Sequence, residues 1–390
     1  MRAHEKHYLS NAAMSKAEYL PLHRPWFGPA ECRAARATLA SLRVGGNGPI
    51  CREVEQLLCE LLDVRHALLT TSCTHAMEAA LMACNVGPGD EVILPSFTFP
   101  TTATAILRQG ARPVFADIDA ETYNLDPASV EEAVTERTVA IMPVHYAGQG
   151  CEMDELQQVA QQAGAVVIED AAHAIGATYG GRFLGTIGRV GCLSFHETKN
   201  ITCGEGGAAL TDDDETAERL SIIREKGTNR AAFLRGEVDK YTWVSQGSSF
   251  VLAEVLAAIL REQLRRLPEV TRRRRRHAKH LLDGLADLEP RLKLPVVRPG
   301  RESNWHLFAV RVGPERQQAF IGHLRLCGIG AAFHYVPLHT SPFGQSLGYR
   351  PGDLPVTEEV SLSLVRLPLY PQLRSQDVER IIAAVRAFFA

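Results

Sequence analysis

AVVIEDA, residues 165–171, is a short run of mostly apolar residues with two acids, Glu169 and Asp170, just before its end. Runs of four to eight apolar, largely β-branched residues are typical of strands buried on both faces of a parallel sheet. Six further runs have the same character and are separated by amphipathic stretches: HALLT, EVILP, RPVFADI, TVAIMPVH, CLSF and AALT. This alternation predicts an α/β fold with a mainly parallel seven-stranded sheet.

Helix signals lie between the strand runs, and the pattern changes near residue 250. A helix is predicted over His75–Cys84, and another over Asp126–Val134, where Asp126 would cap the helix and Pro127 would take its first position. From about residue 250 a long helical stretch and short mixed elements follow. We therefore predict an extension over residues 1–23, a large domain over 24–249 and a small α+β domain over 250–390.

Composition excludes several classes of function. The 390 residues are 45% hydrophobic and 22% charged with a formal net charge of −3, which argues against a nucleic-acid partner. The nine cysteines show no C-x-x-C pair, so neither a disulfide framework nor a metal site is indicated. No signal peptide or membrane span is apparent, and we expect a cytoplasmic protein. The run Arg272–Arg276 is predicted to form a solvated helix face.

Two predicted strand ends carry residues that could act in catalysis or ligand binding. Asp170 closes the first run, where ligands of open α/β sheets collect, although an acid there could equally cap the next turn. Ser194 ends the CLSF strand within SFHETKNITCGEGG, residues 194–207, which places Lys199 in a glycine-closed loop. Taken alone, Lys199 also fits an ordinary solvated loop lysine. The glycines would permit close backbone approach or a positive φ.

A third strand, HALLT, runs into TSCTHAMEAALMAC, where hydroxyl residues meet a helix start. Free amides and the dipole of a helix N-terminus favour a phosphate, but no dinucleotide or P-loop motif is present. A phosphate site, a strand-end acid, a loop lysine and the aromatic Phe99 are together what pyridoxal phosphate requires. Lys199 would form the Schiff base, Asp170 would pair with the pyridine nitrogen, and Phe99 would stack on the ring.

The motifs PSFTF, EDAAHA, SFHETKN, GEGG and HYVPLH resemble the DegT/DnrJ/EryC1/StrS family of sugar-nucleotide aminotransferases over residues 24–388. The resemblance implies fold type I of the pyridoxal phosphate enzymes and homodimers with shared active sites. His173 would then bond the phenolic oxygen of the cofactor. A partner-subunit asparagine that many relatives place on the phosphate matches Ser249, within GSSFV. The phosphate contacts that the resemblance implies within the chain are Ser194, Thr74 and the backbone of Cys73 and His75.

Longer runs, such as REKGTNRAAFLRGEVDKYTWVSQGSS, are similar to one subgroup of this family. That subgroup transfers an amino group from L-glutamate to carbon 4 of dTDP-4-keto-6-deoxy-D-glucose, so the resemblance implies dTDP-sugar synthesis for enterobacterial common antigen or lipopolysaccharide. Amination of another 3-keto or 4-keto sugar nucleotide stays open, as does a non-catalytic sensor of the same fold. Tyr335 and His339 could line the sugar pocket or simply pack a turn. The residues of the 227–247 loop that could meet the pyrophosphate are Asn229, Arg230, Arg235 and Lys240.

Overall fold

The computed structural model describes residues 19–390. Its centre is a seven-stranded sheet with the order β1-β9-β8-β5-β4-β2-β3. Strands β8, β5, β4, β2 and β3 run parallel to one another, and β9 is antiparallel to both β1 and β8. The strands are β1 His66–Thr70, β2 Glu91–Pro95, β3 Arg112–Ala116, β4 Thr138–Ile141, β5 Val166–Asp170, β6 Thr178–Tyr179, β7 Arg182–Phe183, β8 Val190–Ser194, β9 Gly207–Thr211, β10 Arg301–Glu302, β11 Phe308–Arg311 and β12 Leu364–Leu367.

All seven predicted strand runs are confirmed as strands of this sheet, and the α/β prediction holds. Ile168 and Val190, on adjacent strands, are fully buried, as expected where helices cover both faces of a parallel sheet. The helices are α1 Pro29–Ala40, α2 Pro49–Leu62, α3 Cys73–Ala83, α4 Pro100–Arg108, α5 Pro127–Ala133, α6 Met153–Ala163, α7 Asp214–Arg224, α8 Arg230–Leu234, α9 Glu254–Arg265, α10 Leu267–Leu285, α11 Gln317–Leu326, α12 Pro342–Ser346, α13 Pro355–Ser363 and α14 Ser375–Phe389.

Helix starts follow local capping chemistry. The side chain of Asp126 accepts a hydrogen bond from the amide of Ala128, and Pro127 occupies the first turn of α5, as predicted. Helix α3 begins earlier than the predicted His75, because Ser72 caps it by accepting from the amide of His75. The free amides of this helix therefore lie directly after β1.

The directions of the strands place the carboxyl ends of β1, β5 and β8, which are far apart in sequence, at the same edge of the sheet. Because β1 and β8 are both antiparallel to β9, they run in the same direction, and β8 is parallel to β5. Asp170, Ser194 and the start of α3 consequently meet at the carboxyl edge of the sheet. Gly207 lies between Thr70 and Ser194 in the ladder. A Cβ there would lie 2.4 Å from the carbonyl carbon of Ser72, so glycine allows β9 to pass close to the start of α3.

The C-terminal part of the chain builds a separate core around the antiparallel pair β11 and β12, covered by α10, α11 and α14. Leu260 and Leu264 of α9 belong instead to a core of the central sheet. The division of the chain at residue 249 stays a prediction. Within residues 19–390 no helix is long and apolar enough to cross a membrane.

The prediction of a solvated face for Arg272–Arg276 is wrong for its central residue. Arg272 and Arg276 are exposed, but Arg274 is buried. Its Nε donates to the carbonyl of Trp305 at 2.8 Å and an Nη donates to the carbonyl of His306 at 2.6 Å. A run of five like residues on a helix necessarily points one side chain inward, because the helix turns 100° per residue.

Candidate active site

A cavity of about 1030 Å³ opens at the carboxyl edge of the central sheet. Its walls come from the loops after β1, β2, β5 and β8, from residues 19–26, and from the C-terminal core. Ligands of open α/β sheets bind at this edge. The predicted site residues that line the cavity are Cys73, Thr74, Phe99, Asp170, His173, Ser194, Lys199 and Tyr335.

Lys199 is held in the loop between β8 and β9. The amide of Lys199 donates to the carbonyl of His196 at 2.9 Å, and the loop is closed where the amide of Phe195 donates to the carbonyl of Gly206 at 2.8 Å. Burial lowers the pKa of the Lys199 ammonium, and nearby Arg366 lowers it further, while Asp170 opposes the shift. A lowered pKa increases the neutral, nucleophilic fraction of the Lys199 side chain.

Asp170 is buried at the end of β5, and its carboxylate accepts two hydrogen bonds. Its Oδ2 accepts from the hydroxyl of Thr102 at 2.8 Å, and its Oδ1 accepts from the amide of Ala172 at 3.1 Å. Burial raises the pKa of this carboxyl, although Thr102, Ala172 and the charge of Lys199 act against the rise. A cationic group of a ligand in the cavity would stabilise the ionised form of this buried carboxyl.

His173 presents a defined hydrogen-bond donor. Its Nδ1 accepts from the amide of Ala147 at 3.3 Å, and burial together with the charge of Lys199 lowers the pKa of the ring well below its ordinary value. A neutral imidazole has one N–H, so its proton lies on Nε2. His173 therefore offers an N–H donor beside Lys199.

The start of α3 has two backbone amides without a hydrogen-bond partner among the described residues. The cap formed by Ser72 uses the amide of His75, and the amides of Cys73 and Thr74 make no hydrogen bond to the residues that the structure describes. Cys73, Thr74 and Ser194 line the cavity. The predicted contact through the His75 backbone does not fit this arrangement, because its amide is already engaged.

Several predicted residues lie outside the cavity. His339 is fully buried between Ser96, whose hydroxyl lies 2.7 Å from Nδ1, and Glu358, whose Oε1 lies 3.0 Å from Nε2. Both of its ring nitrogens are engaged, which leaves none for a sugar. The other predicted residues outside the cavity of their own chain are His75, Ser249, Asn229, Arg230, Arg235 and Lys240.

Residues of the 227–247 loop make hydrogen bonds and ion pairs within their own chain. Asn229 accepts from the amide of Thr242 at 2.7 Å, and Arg230 pairs with Glu225 at 3.2 Å. Ser249 is exposed and forms a backbone bridge with Glu225. None of these residues lines the cavity of its own chain.

A buried polar network that sequence reasoning missed supports Lys199 and His173. The ring of His306 packs 4.3 Å from that of His173, and its Nδ1 lies 3.0 Å from Oδ1 of Asn200. Asn304 donates to the carbonyl of His173 at 2.8 Å. These contacts join positions more than a hundred residues apart, so they cannot be predicted from the sequence around any one of them.

Comparison with known proteins shows the family. The chain belongs to the DegT/DnrJ/EryC1/StrS aminotransferase family, whose profile matches residues 28–386. The spore coat polysaccharide biosynthesis protein SpsC of Bacillus subtilis is 37% identical over 94% of this chain and 96% of its own length. DesV of S. venezuelae, solved with a ketimine intermediate, is 37% identical with a TM-score of 0.86 and coverage of 92% and 94%. Spr1654 of Streptococcus pneumoniae, solved in PLP and PMP forms, is similar too; its PLP form is 29% identical with a TM-score of 0.88 and coverage of 95% and 98%.

Proposed function

We propose that this member of the family transfers the amino group of L-glutamate to carbon 4 of dTDP-4-keto-6-deoxy-D-glucose. The products would be dTDP-4-amino-4,6-dideoxy-D-galactose and 2-oxoglutarate, and pyridoxal phosphate would be the cofactor. The observation that carries the proposal is the half-buried Lys199, which makes no ion pair within residues 19–390 and shares a cavity with the buried strand-end carboxylate Asp170.

The residues present fit pyridoxal phosphate. The free amides at the start of α3, with Thr74 and Ser194, would hold its phosphate, because a helix N-terminus favours an anion. Asp170 would pair with the pyridine nitrogen, and Nε2 of His173 would donate to the phenolic oxygen. Phe99 is 57% exposed in the cavity wall and would cover a ring face. Similarity to Spr1654 in its PLP and PMP forms supports this cofactor.

Lys199 would serve first as the cofactor's attachment point and then as a proton carrier. When bound, the cofactor supplies an electron sink for the bond that breaks at the donor's α-carbon. When not attached to the cofactor, Lys199 would be a free amine of lowered pKa that could take up and release a proton at the donor's α-carbon. A positioned base of this kind is typically worth about 10²–10⁴-fold in rate.

Asp170 and Thr102 would set the charge of the ring. A carboxylate beside the pyridine nitrogen keeps that nitrogen protonated, which strengthens electron withdrawal. The hydroxyl of Thr102 donates to this carboxylate and favours its ionised form. Thr102 would thereby offset part of the rise that burial causes in the pKa of Asp170, which would favour the carboxylate beside the ring nitrogen.

The choice of sugar rests on the subgroup-specific sequence runs. The family description and the name of SpsC support amino transfer in polysaccharide synthesis, which leaves amination of another 3-keto or 4-keto sugar nucleotide as the principal alternative. A non-catalytic sensor is the less favoured one, since Lys199, Asp170 and Ser194 all line the same cavity.

We also propose that the active unit is a homodimer with shared sites. Trp243 is 77% exposed and Tyr241 is 56% exposed on the 227–247 loop, an unusual position for such large aromatic side chains. Packing on a second subunit would cover them and bring Ser249 and the basic residues of this loop toward the neighbour's cavity. Twofold symmetry would then give two equivalent composite sites.

The test is an assay of the purified protein with pyridoxal phosphate and L-glutamate against a panel of 3-keto and 4-keto sugar nucleotides. We expect the highest kcat/KM with dTDP-4-keto-6-deoxy-D-glucose and an axial amine at carbon 4 in the NMR spectrum of the product. An amine at carbon 3, or a higher kcat/KM with another nucleotide sugar, would replace the proposed substrate. No turnover with any member of the panel would favour the sensor.

A further inference from the structure

The ring of His306 has a single possible tautomer in this structure. His306 lies two residues before β11 and is 5% exposed, in the wall of the cavity. Its Nδ1 lies 3.0 Å from Oδ1 of Asn200, the residue that follows Lys199. The amide group of Asn200 has a fixed orientation, because its Nδ2 donates to the carbonyl of Asn304 at 3.3 Å. Oδ1 can only accept a hydrogen bond, so the proton of the neutral His306 ring lies on Nδ1.

The second ring nitrogen of His306, Nε2, is left as a hydrogen-bond acceptor. Burial lowers the pKa of His306 well below its ordinary value, and nearby groups that include Lys199 lower it further, so the ring is neutral. Nε2 therefore carries a lone pair. Within residues 19–390 no group donates to this nitrogen, and protein atoms do not enclose it. A buried acceptor without a partner costs stability, so its place in a cavity wall indicates a ligand that donates a hydrogen bond.

His173 lies beside His306, with 4.3 Å between the ring centroids, and presents the opposite kind of group. Its proton lies on Nε2, since Nδ1 accepts from the amide of Ala147 at 3.3 Å. The two rings therefore offer one donor and one acceptor to the same cavity. The proposed partner of the donor is the phenolic oxygen of the cofactor, which leaves the acceptor of His306 for a substrate.

The two proposed substrates differ in what they can offer this lone pair. L-Glutamate at neutral pH carries carboxylates, which only accept hydrogen bonds, and its amine is the reacting group. The keto sugar carries hydroxyl groups, which donate, and the one on carbon 3 is directly next to the carbonyl at carbon 4. Lys199 works at the carbonyl carbon, and its charge is near enough to lower the pKa of His306. The hydroxyl beside the carbonyl is therefore the donor that lies closest to Nε2.

We propose that Nε2 of His306 accepts a hydrogen bond from the hydroxyl on the carbon next to the sugar's carbonyl, which is carbon 3 in the proposed substrate. His306 thereby favours acceptor sugars that carry this hydroxyl and has no part in the reaction with L-glutamate. The inference rests on the proposed aminotransferase function. It holds for a 3-keto sugar as well, because such a sugar also carries hydroxyl groups beside its carbonyl.

The first experiment measures binding without turnover. The protein loaded with the amine form of the cofactor is titrated in a calorimeter with dTDP-6-deoxy-D-glucose, which has a hydroxyl in place of the reacting carbonyl, and with its 3-deoxy counterpart. The wild type should bind the 3-deoxy compound about 5- to 150-fold more weakly, because the buried lone pair is then left unpaired. In His306→Phe the two Kd values should agree within about threefold. His306→Gln should restore part of the preference, since an amide oxygen can accept in place of Nε2.

The second experiment follows each half-reaction by absorbance. L-Glutamate alone reports the donor half, and the amine form mixed with the keto sugar reports the acceptor half. His306→Phe should lower kcat/KM of the acceptor half by about 5- to 150-fold and leave the donor half within about threefold. Equal losses in both halves, or a preference for the 3-hydroxyl that persists in His306→Phe, would overturn the proposal. His277→Phe is the matched control and should keep the preference, because His277 is buried with an unpaired Nε2 but does not line the cavity.

Nitrogen-15 NMR of histidine-labelled protein tests the contact in the wild type, whether or not His306→Phe folds. We expect an unprotonated Nε2, assigned by its absence from His306→Gln, whose resonance shifts with dTDP-6-deoxy-D-glucose but not with the 3-deoxy compound. A protonated Nε2, or equal shifts with both compounds, would contradict the proposal. A wild type that reacts with L-glutamate but binds neither compound would refute the sugar assignment together with this contact. Turnover of the keto sugar without a preference for the 3-hydroxyl would refute the contact alone.

Discussion

The hydroxyl of Thr102 donates to the carboxylate of Asp170, with 2.8 Å between Oγ1 and Oδ2. Thr102 lies in α4 and Asp170 ends β5, so the bond joins a helix to the strand end that carries the acid. Thr102 in turn lies 3.0 Å from the hydroxyl of Thr98. This short chain of hydroxyls supports a buried negative charge at the point where the proposed ring nitrogen would lie.

Thr102→Val should reduce turnover without removing the cofactor. The change keeps the side-chain shape but deletes a hydrogen bond to a charged acceptor, worth roughly 1.5–3 kcal/mol, so kcat should fall by about 10- to 150-fold. Steady-state kinetics with a cofactor absorbance spectrum measures both effects. Thr104→Val is the control, since Thr104 is exposed on the same helix and bonds only to the carbonyl of Pro100 at 3.0 Å. Equal kcat values in the two variants would show that the hydrogen bond from Thr102 to Asp170 does not support catalysis.

Asp170→Asn should bind pyridoxal phosphate and lose most of its rate. Lys199 and the phosphate contacts remain, but an amide cannot hold a proton on the ring nitrogen by charge. Cofactor content from the absorbance spectrum and kcat from turnover separate binding from catalysis. Near-normal kcat in a folded, loaded Asp170→Asn protein would show that another group protonates the ring.

The pH at which the apoprotein reattaches pyridoxal phosphate should depend on Lys199 and its charged neighbours. Only the neutral amine attacks the carbonyl, and burial together with Arg366 lowers the pKa of Lys199 below its ordinary 10.5, against the pull of Asp170. Removing the positive charge in Arg366→Gln should move the midpoint of the rate profile to higher pH. Removing the negative charge in Asp170→Asn should move it to lower pH. Stopped-flow absorbance across a pH series gives both midpoints, and shifts in the same direction would contradict this electrostatic account.

Two inactive variants should complement each other if the site is shared. Lys199→Ala removes the nucleophile, and Ser249→Trp should block the contact proposed across the interface. In a mixed dimer one of the two sites receives both intact halves, so up to about half of the wild-type activity per dimer should return. Subunit exchange is verified by mass spectrometry of differently tagged chains. Mixed dimers without activity, or a monomer with full activity, would contradict shared sites.

The strands and the main site residues were predictable because their signals are local. An apolar run that ends in an acid, as at Asp170, or a glycine-closed loop, as at Lys199, can be recognised within fifteen residues. Parallel strand direction then requires these ends to meet at one edge of the sheet. Thr102, Arg366 and Asn304 were missed since their partners lie far along the chain, and nothing in their own neighbourhoods distinguishes them from structural residues.

Two predictions show what a local pattern leaves undetermined. HYVPLH correctly marked a segment near the cavity, yet Tyr335 lines the cavity while His339 points between Ser96 and Glu358. The run Arg272–Arg276 looked uniformly solvated, but helix rotation buries Arg274 against the carbonyls of Trp305 and His306. In both cases the prediction rested on residue type, but the role of the residue depends on the direction in which its side chain points.

The central claim, that Lys199 carries the cofactor, is tested most directly by borohydride reduction of the loaded protein followed by peptide mass mapping. We predict a single stable cofactor label, on the peptide that contains SFHETKN, at Lys199. Lys199→Ala should carry no label and should lose turnover by orders of magnitude, while its folded state is checked by circular dichroism. A label on any other lysine of the wild type, or turnover retained by folded Lys199→Ala, would contradict the account.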